Sequence, residues 1–430
     1  MAHSRHAHVK VLILAFVAIA LPFYLSEFLG ESIWSESPYL RWLNRDFWYR
    51  EFAPSGPRQT RIDEIKIVSI VRNVEPGSAL GEFRCTHRAF MAKLLSKIAE
   101  ADPRLIVVDK WYGRIPPGAC TPSNNGTTAL KKAIRSISAK VPFVIAIGSY
   151  NREEIQQVCP ELGRDDLQGD EMVLGDLESF GEDASPGRIR LGLARINSDV
   201  RKVPLGWMVF PDCKVKREQA KTLPTVATAA AELLDPNIMK SNDLGTLKRK
   251  NIHPYTKLAP PGTFQSVSAI GLVCDHPGPD IDWTRCGPNE GDKNSLEDLR
   301  HKVVIVGETT GDIHRTDEGV MTGPELQANY MAALLDESIL KPVPLWVNYA
   351  VTLGWLGFLF WIFYGWKPRL PELDLIVSAL MTFLLGVVFS AVITRQFGIF
   401  ADVVPPTILE IIGLYLGRRV ELVLEPHKEG

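Results

Sequence analysis

Hydrophobic positions follow two regimes along the chain. Four long apolar runs lie towards its ends, at 11–29, 343–366, 375–394 and 399–416. Between them, 31–342 mixes short apolar runs with polar stretches, as a water-soluble domain does. A spanning helix needs roughly 20 apolar residues to cross the hydrocarbon core. The run 343–366, studded with Trp346, Trp355, Trp361 and Trp366, and the uncharged run 375–394 meet that length. The run 399–416 is the weakest, because it carries Asp402 and Glu410. The pattern predicts four transmembrane α-helices around one translocated domain. The first run, preceded by Arg5 and Lys10 and containing Ala18-Ile19-Ala20, also fits a cleavable signal peptide. Its apolar character continues through Leu25, which favours an uncleaved anchor.

Inside the translocated segment, short runs rich in Val and Ile occur at 65–71, 105–109, 141–147, 189–196 and 302–307. They do not alternate with polar residues, which suits strands covered on both faces. Helical spacing separates them. Phe90, Leu94, Leu95 and Ile98 make an apolar stripe on 87–101, and 128–137 is a shorter amphipathic piece. The Ala-rich stretch 224–234 starts at Pro224, and Pro324 opens another helix carrying Leu326, Tyr330 and Leu334. Strands alternating with helices predict an α/β domain with a largely parallel or mixed sheet. The acidic stretch 161–187 and the Gly/Pro/Asp-rich stretch 274–292 read as exposed insertions.

Charge then sets the compartment. The 48 Lys+Arg nearly balance 50 Asp+Glu, which gives no footing for nucleic-acid binding. Basic residues flank the apolar runs on one side: Arg5 and Lys10, Lys367 and Arg369, Arg418 and Arg419, against Arg395 opposite. The positive-inside rule places the head 1–10 and the tail 417–430 in the cytoplasm and 31–342 in the periplasm of a multi-pass inner-membrane protein. All six cysteines, Cys85, Cys120, Cys159, Cys213, Cys274 and Cys286, fall in 31–342. An even number in an oxidising compartment reads as disulfides, and six cysteines allow fifteen pairings. Pairing in chain order, including Cys159 with Cys213, is the expectation adopted. No two cysteines have the close spacing of a zinc site, and no metal or cofactor is expected.

Candidate chemistry is sparse. Asp109 closes a strand, and in open α/β sheets ligands bind beyond the carboxyl ends of strands. It either lines a ligand pocket or bonds loop amides. Thr309, Thr310 and Asp312 lie in the Gly-rich turn 307–312, which either approaches an anion through its amides or simply ends the strand. The turn lacks the Lys and glycine spacing of a P-loop. His314 and Asp317 nearby are scattered titratable residues. Asp199 and Arg201 form either a turn-holding ion pair or a ligand contact. No GxSxG elbow or other catalytic set is present, so no enzyme activity is expected. Glu410, Gly413 and Gly417 fall in or at the end of the last apolar run. An ionisable residue there is costly, and the glycine pair permits close helix packing or a homo-oligomer.

The order of these elements resembles a known family. The quoted landmarks are 45–50 (RDFWYR), 65–70 (IKIVSI), the helix from His87 to Ile98, Leu105–Asp109, 197–205 (NSDVRKVPL) and 299–307 (LRHKVVIVG). With one apolar run before and three after, the chain resembles the CHASE domain family of the second type over nearly its whole length. That resemblance implies a sensory role for a domain outside the cytoplasm, detecting a small molecule or protein. Only 417–430 follows the last run, so the output is expected from a separate membrane or cytoplasmic protein. The contrasting expectation is a structural subunit of an envelope complex that senses nothing.

Overall fold

The computed structural model describes residues 56–70, 80–110, 112, 126–150, 159, 172–174, 188–197, 200–211, 213, 220–240, 244–250, 252–274, 293–310, 312–316, 318–340, 384, 386–389 and 391–392. The chain divides into two compact units, Ser55–Ile339 and a second one combining Met1–Pro54 with Leu340–Gly430. The first unit contains nearly all the described elements. In chain order they are α1 (Gln59–Glu64), β1 (Ile65–Ile70), α2 (Leu80–Glu100), β2 (Leu105–Asp109), α3 (Gly126–Ser138), β3 (Phe143–Ile147), β4 (Ser149–Tyr150) and β5 (Met172–Leu174). Then come β6 (Ile189–Leu193), β7 (Gly206–Phe210), β8 (Lys221–Pro224), α4 (Val226–Leu234), α5 (Leu244–Arg249), β9 (Tyr255–Thr256), β10 (Ser266–Ser268) and α6 (Ala269–Val273). The last are α7 (Lys293–Glu297), β11 (Val303–Glu308), β12 (Ile313–Thr316), β13 (Gly319–Thr322) and α8 (Gly323–Leu335).

Six strands form one sheet in the order β10-β1-β11-β2-β3-β6, and every pairing in it is parallel. The reason is visible in the strand sequences. Ile65, Ile67, Leu105, Val107, Val303 and Ile305 share one face and pack into a core with α4 and α8. Val68, Ile70, Ile106, Val108, Val304 and Val306 share the other and pack against α2, α3 and α6. Successive side chains of a strand point to opposite faces, so near-continuous apolar strands require helices on both sides.

The helix ends are set by local chemistry. Thr225 caps α4, accepting from the Thr228 N–H at 3.4 Å, and its hydroxyl donates to the Pro204 carbonyl at 2.5 Å. Pro224 therefore ends β8 and does not begin the helix, contrary to expectation. The reason is that the threonine after it satisfies the first helical amides. Thr322 and Glu325 form a reciprocal capping box on α8, with Pro324 in its first turn. At the far end of α8, Arg61 of α1 meets the Asp336 carboxylate at 3.1 Å.

A second, mixed sheet has the order β4-β5-β7-β8. Its strand β5 lies inside the acidic stretch expected to be an exposed insertion. Met172 and Val173 are buried there because they pack against Trp207, Val209 and Phe210. The expected Cys159–Cys213 disulfide is present beside Val173 and Phe210. Cys274 is also disulfide-bonded. Cys85 falls within α2, while Cys120 and Cys286 lie outside the described residues.

The fold class needs one correction. An α/β domain is present, but no described helix is long and apolar enough to cross a membrane, so four transmembrane helices are not supported. Crossing needs roughly 20 apolar residues in a row. Helix α2 has 21 residues, but it carries Arg84, Arg88, Lys93 and Lys97. The runs 11–29, 343–366 and 399–416, with Glu410, and also Gly413 and Gly417, lie outside the described residues. In 375–394 only 384, 386–389 and 391–392 are described, and they are helical.

Candidate functional site

The connections leaving the sheet locate the site. The chain passes from β1 through α2 to β2, and from β2 through α3 to β3, on one face. After β11 it turns to the other face, where α8 packs. Strand β11 lies between β1 and β2, so connections diverge on both of its sides. Such switch points leave a crevice beyond the carboxyl ends of the strands, where α/β proteins bind ligands. Here the residues at those strand ends are Ser69 near the end of β1, Asp109 and Lys110 at the end of β2, and Glu308 and Thr309 at the end of β11.

Polar pairs link these strand ends. The Ser69 and Thr309 hydroxyls are hydrogen-bonded at 2.5 Å. The Lys110 ammonium donates to the Glu308 carboxylate at 3.2 Å. The Thr309 N–H donates to the Ile70 carbonyl at 3.1 Å. An anion-binding turn would aim that amide at its ligand; here it extends the pairing of β11 with β1. Thr310 follows directly and leads towards the β12–β13 hairpin.

That hairpin brings a second set of groups to the same end. Strands β12 and β13 pair antiparallel, with Ile313 opposite Thr322 and His314 opposite Met321. Asp312, just before β12, accepts from the Gly323 N–H through its backbone carbonyl at 2.9 Å. Its carboxylate lies against the Gly323 α-carbon, where any Cβ would overlap it. It also meets the His314 Nε2 at 2.8 Å. An anionic side chain therefore already occupies the amino end of α8, where the helix dipole favours negative charge. Gly307, paired with Asp109 in register, lies against Pro324 so closely that a side chain there would collide with the ring. These two approaches draw β2, β11, the hairpin and α8 together.

The electrostatics follow from that crowding. The Asp109 carboxyl is raised to about 7, chiefly by loss of water and secondly by the negative Asp312, with His314 opposing the rise. His314 is raised above its ordinary value, chiefly by its hydrogen bond to Asp312. On the other face of the sheet His87 is held neutral, its pKa pushed down to about 3 by burial and by Lys110 and Arg88. Arg88 donates to the Thr127 hydroxyl at 2.8 Å and lies 5.7 Å from the Tyr112 ring centre. Among the described residues no group of three His, Cys, Asp or Glu is arranged to hold a metal ion.

The structure thus assembles Asp109, Thr309, Thr310 and Asp312 at one end of the sheet. It does not bring Arg201 there. The Arg201 carbonyl accepts from the Thr256 N–H at 2.8 Å, and the Thr256 hydroxyl donates to the carbonyl of Ser338, beyond the carboxyl end of α8. Helix α8, at 1.5 Å per residue, separates the two places by about 20 Å. Asp199 lies outside the described residues. Ser69, Lys110 and Glu308 were not singled out from sequence. Ser69 had a usable signal, a polar residue near the carboxyl end of an apolar strand, which Asp109 shares.

The model of the CHASE2 domain matches residues 15–365. The chain belongs to the CHASE2 domain family. CHASE2 domains are sensory domains of the extracellular type, which is consistent with a main unit outside the cytoplasm. No curated protein and no solved structure matches the chain.

Proposed function

We propose that this CHASE2 protein is a bacterial sensory protein that detects a small molecule or another protein on the periplasmic side of the inner membrane. It passes the change to a separate output protein and catalyses no reaction itself. The observation that carries the reading is the family match over residues 15–365. The contacts around the end of β11 support it, because they join three strand ends, a hairpin and a helix that belong to different parts of the chain. A ligand bound there shifts an equilibrium only by its difference in affinity between two arrangements of those parts.

The test is thermal unfolding of the full-length chain against panels of small molecules and envelope proteins, paired with recovery of bound partners from growing cells. A sensor shows a ligand-dependent rise in melting temperature that Ser69→Ala or Thr309→Ala weakens, together with a recovered output partner. Stable protein contacts without any ligand response would instead identify a structural subunit.

A further inference from the structure

We propose that α1 is a conditional helix at the entrance of the first unit, held folded by the Asp336 carboxylate at the far end of α8, and that it opens as a switch. What the switch reports rests on the sensory reading; the conditional helix does not. The chain enters this unit at Ser55 and leaves it after Ile339. The entering and leaving segments meet at Asp336. One carboxylate oxygen accepts the Arg58 N–H at 2.8 Å, and the other accepts the Arg61 Nε–H at 3.1 Å. The Asp336 side chain is 3% exposed, so both bonds are shielded from water.

Little in its own sequence holds α1. It has six residues, no side chain caps its amino end, and its first turn carries no acid. Isolated helices shorter than about 12 residues are marginal in water. Ile62 is its one buried residue. Within the helix Arg61 also pairs with Glu64 at 2.7 Å. The acceptor for the amide that leads into α1 comes from 278 residues further along the chain.

The exit is built differently. From Gly323 to Leu334, α8 is buried except at Glu325. Beyond it the Asp336 and Ser338 amides donate to the Ala332 and Ala333 carbonyls at 2.9 and 3.0 Å. Glu337 between them adopts φ 53°, the left-handed turn that closes a helix, here without a glycine. The Ser338 carbonyl accepts the Thr256 hydroxyl at 3.2 Å. Backbone bonds thus tie the exit, and one carboxylate ties the entrance to it. The opposite end of α8 carries the contact of Gly323 with Asp312. Strand β1, which continues directly from α1, carries the Ser69–Thr309 bond near its other end. A shift between β1 and α8 at the carboxyl end of the sheet therefore draws Asp336 away from Arg58 and Arg61, and α1 opens. Ordering and release of a short segment is an established form of switching.

Hydrogen exchange of the full-length chain, followed against denaturant, tests this. The Arg61 and Ile62 amides donate to the Arg58 carbonyl at 3.0 and 3.1 Å and report on α1. In the wild type they exchange through an opening that leaves β3 protected. Asp336→Ala raises their opening constant by about tenfold or more, because bonds to a charged acceptor are lost, and leaves β3 unchanged. Arg61→Gln, at a partly exposed position, spares the Arg58 bond and gives a smaller rise; it decides the matter where Asp336→Ala fails to fold. Wild-type α1 amides that open only together with β3 overturn the proposal, as does α1 exchange that the deciding variant leaves unmoved. Any small molecule or envelope protein that raises the melting temperature also shifts α1 exchange, and a melting response without that shift overturns the switch while leaving the sensory reading standing. Separate opening of α1 in a chain that answers no small molecule or envelope protein keeps the conditional helix and sinks the sensory reading.

Discussion

Replacing Gly323 with alanine separates the His314 ion pair from the fold that surrounds it. The Asp312 backbone cannot retreat, because its carbonyl holds the Gly323 N–H at 2.9 Å. A Cβ at position 323 would stand 2.6 Å from the Asp312 Cγ and overlap Oδ2. Ordinary contact needs about an ångström more, so the carboxylate must rotate away, which ends its 2.8 Å contact with His314. The backbone at Gly323 is not left-handed, so alanine introduces no backbone strain of its own. Its lower chain entropy offsets part of the loss, by about 0.4–1 kcal/mol.

The pair is partly exposed, and such pairs contribute about 0.2–1 kcal/mol. Loss of that pair lowers the His314 midpoint, because the hydrogen bond to Asp312 is what chiefly raises it, while global stability barely changes. Nuclear magnetic resonance of the full chain with labelled histidines measures this directly, with His314→Gln assigning its signal among the nine. A His314 midpoint that stays put or rises in Gly323→Ala refutes the reasoning.

Other substitutions test the fold that carries the site. Asn329 is buried, accepts the Ala259 N–H at 2.7 Å and donates to the Glu325 carbonyl at 3.0 Å. Asn329→Leu strands the Ala259 amide, costs about 1–3 kcal/mol and lowers the melting temperature by several degrees; an unchanged melting curve contradicts this. Cys159 and Cys213 close a sequence separation of 54, so the double serine variant loses about 2–4 kcal/mol, read as a lower denaturant midpoint. His87 refuses its proton down to about 3, whereas the unfolded chain accepts one near 6.5. Stability therefore falls as pH drops below about 6.5, by at most about 1.4 kcal/mol per unit from this group. Chemical denaturation at pH 6.5 and 4 should show a smaller loss in His87→Gln, and an equal loss argues against a neutral His87.

Elements buried on both faces were the most legible in the sequence. Leu105–Asp109 emerged at its observed bounds, and the runs at 65–71 and 302–307 shifted by one residue at most at each end. Apolar strands need no partner to be recognised, because burial alone dictates their composition. The hairpin β12–β13 was invisible, since Ile313, Arg315 and Val320 are exposed and leave no alternating pattern. Helix α2 begins at Leu80, well before the stripe at Phe90, because its first residues lack that periodicity.

Within the site, Asp109, Thr309 and Asp312 were legible from their place after strands. The Lys110–Glu308 pair and the role of Gly323 depend on β11 entering between β1 and β2, an arrangement that local pattern does not encode. Arg201 stands apart from this group for the same reason: its turn follows a strand, but its backbone is paired beyond the other end of α8.

Strand β11 occupies the middle of the sheet, yet it is the last of the six strands to be made. Strands β1 and β2 have no direct pairing and are joined only through it. A growing chain that has passed residue 109 therefore holds two strands that cannot complete their hydrogen bonds until residues 303–308 arrive. Contacts that span such a sequence distance are slow to form, because the intervening loop must be closed first. Folding of the domain is consequently a late and concerted event, and a chain interrupted before residue 303 leaves both central strands as open edges that invite aggregation.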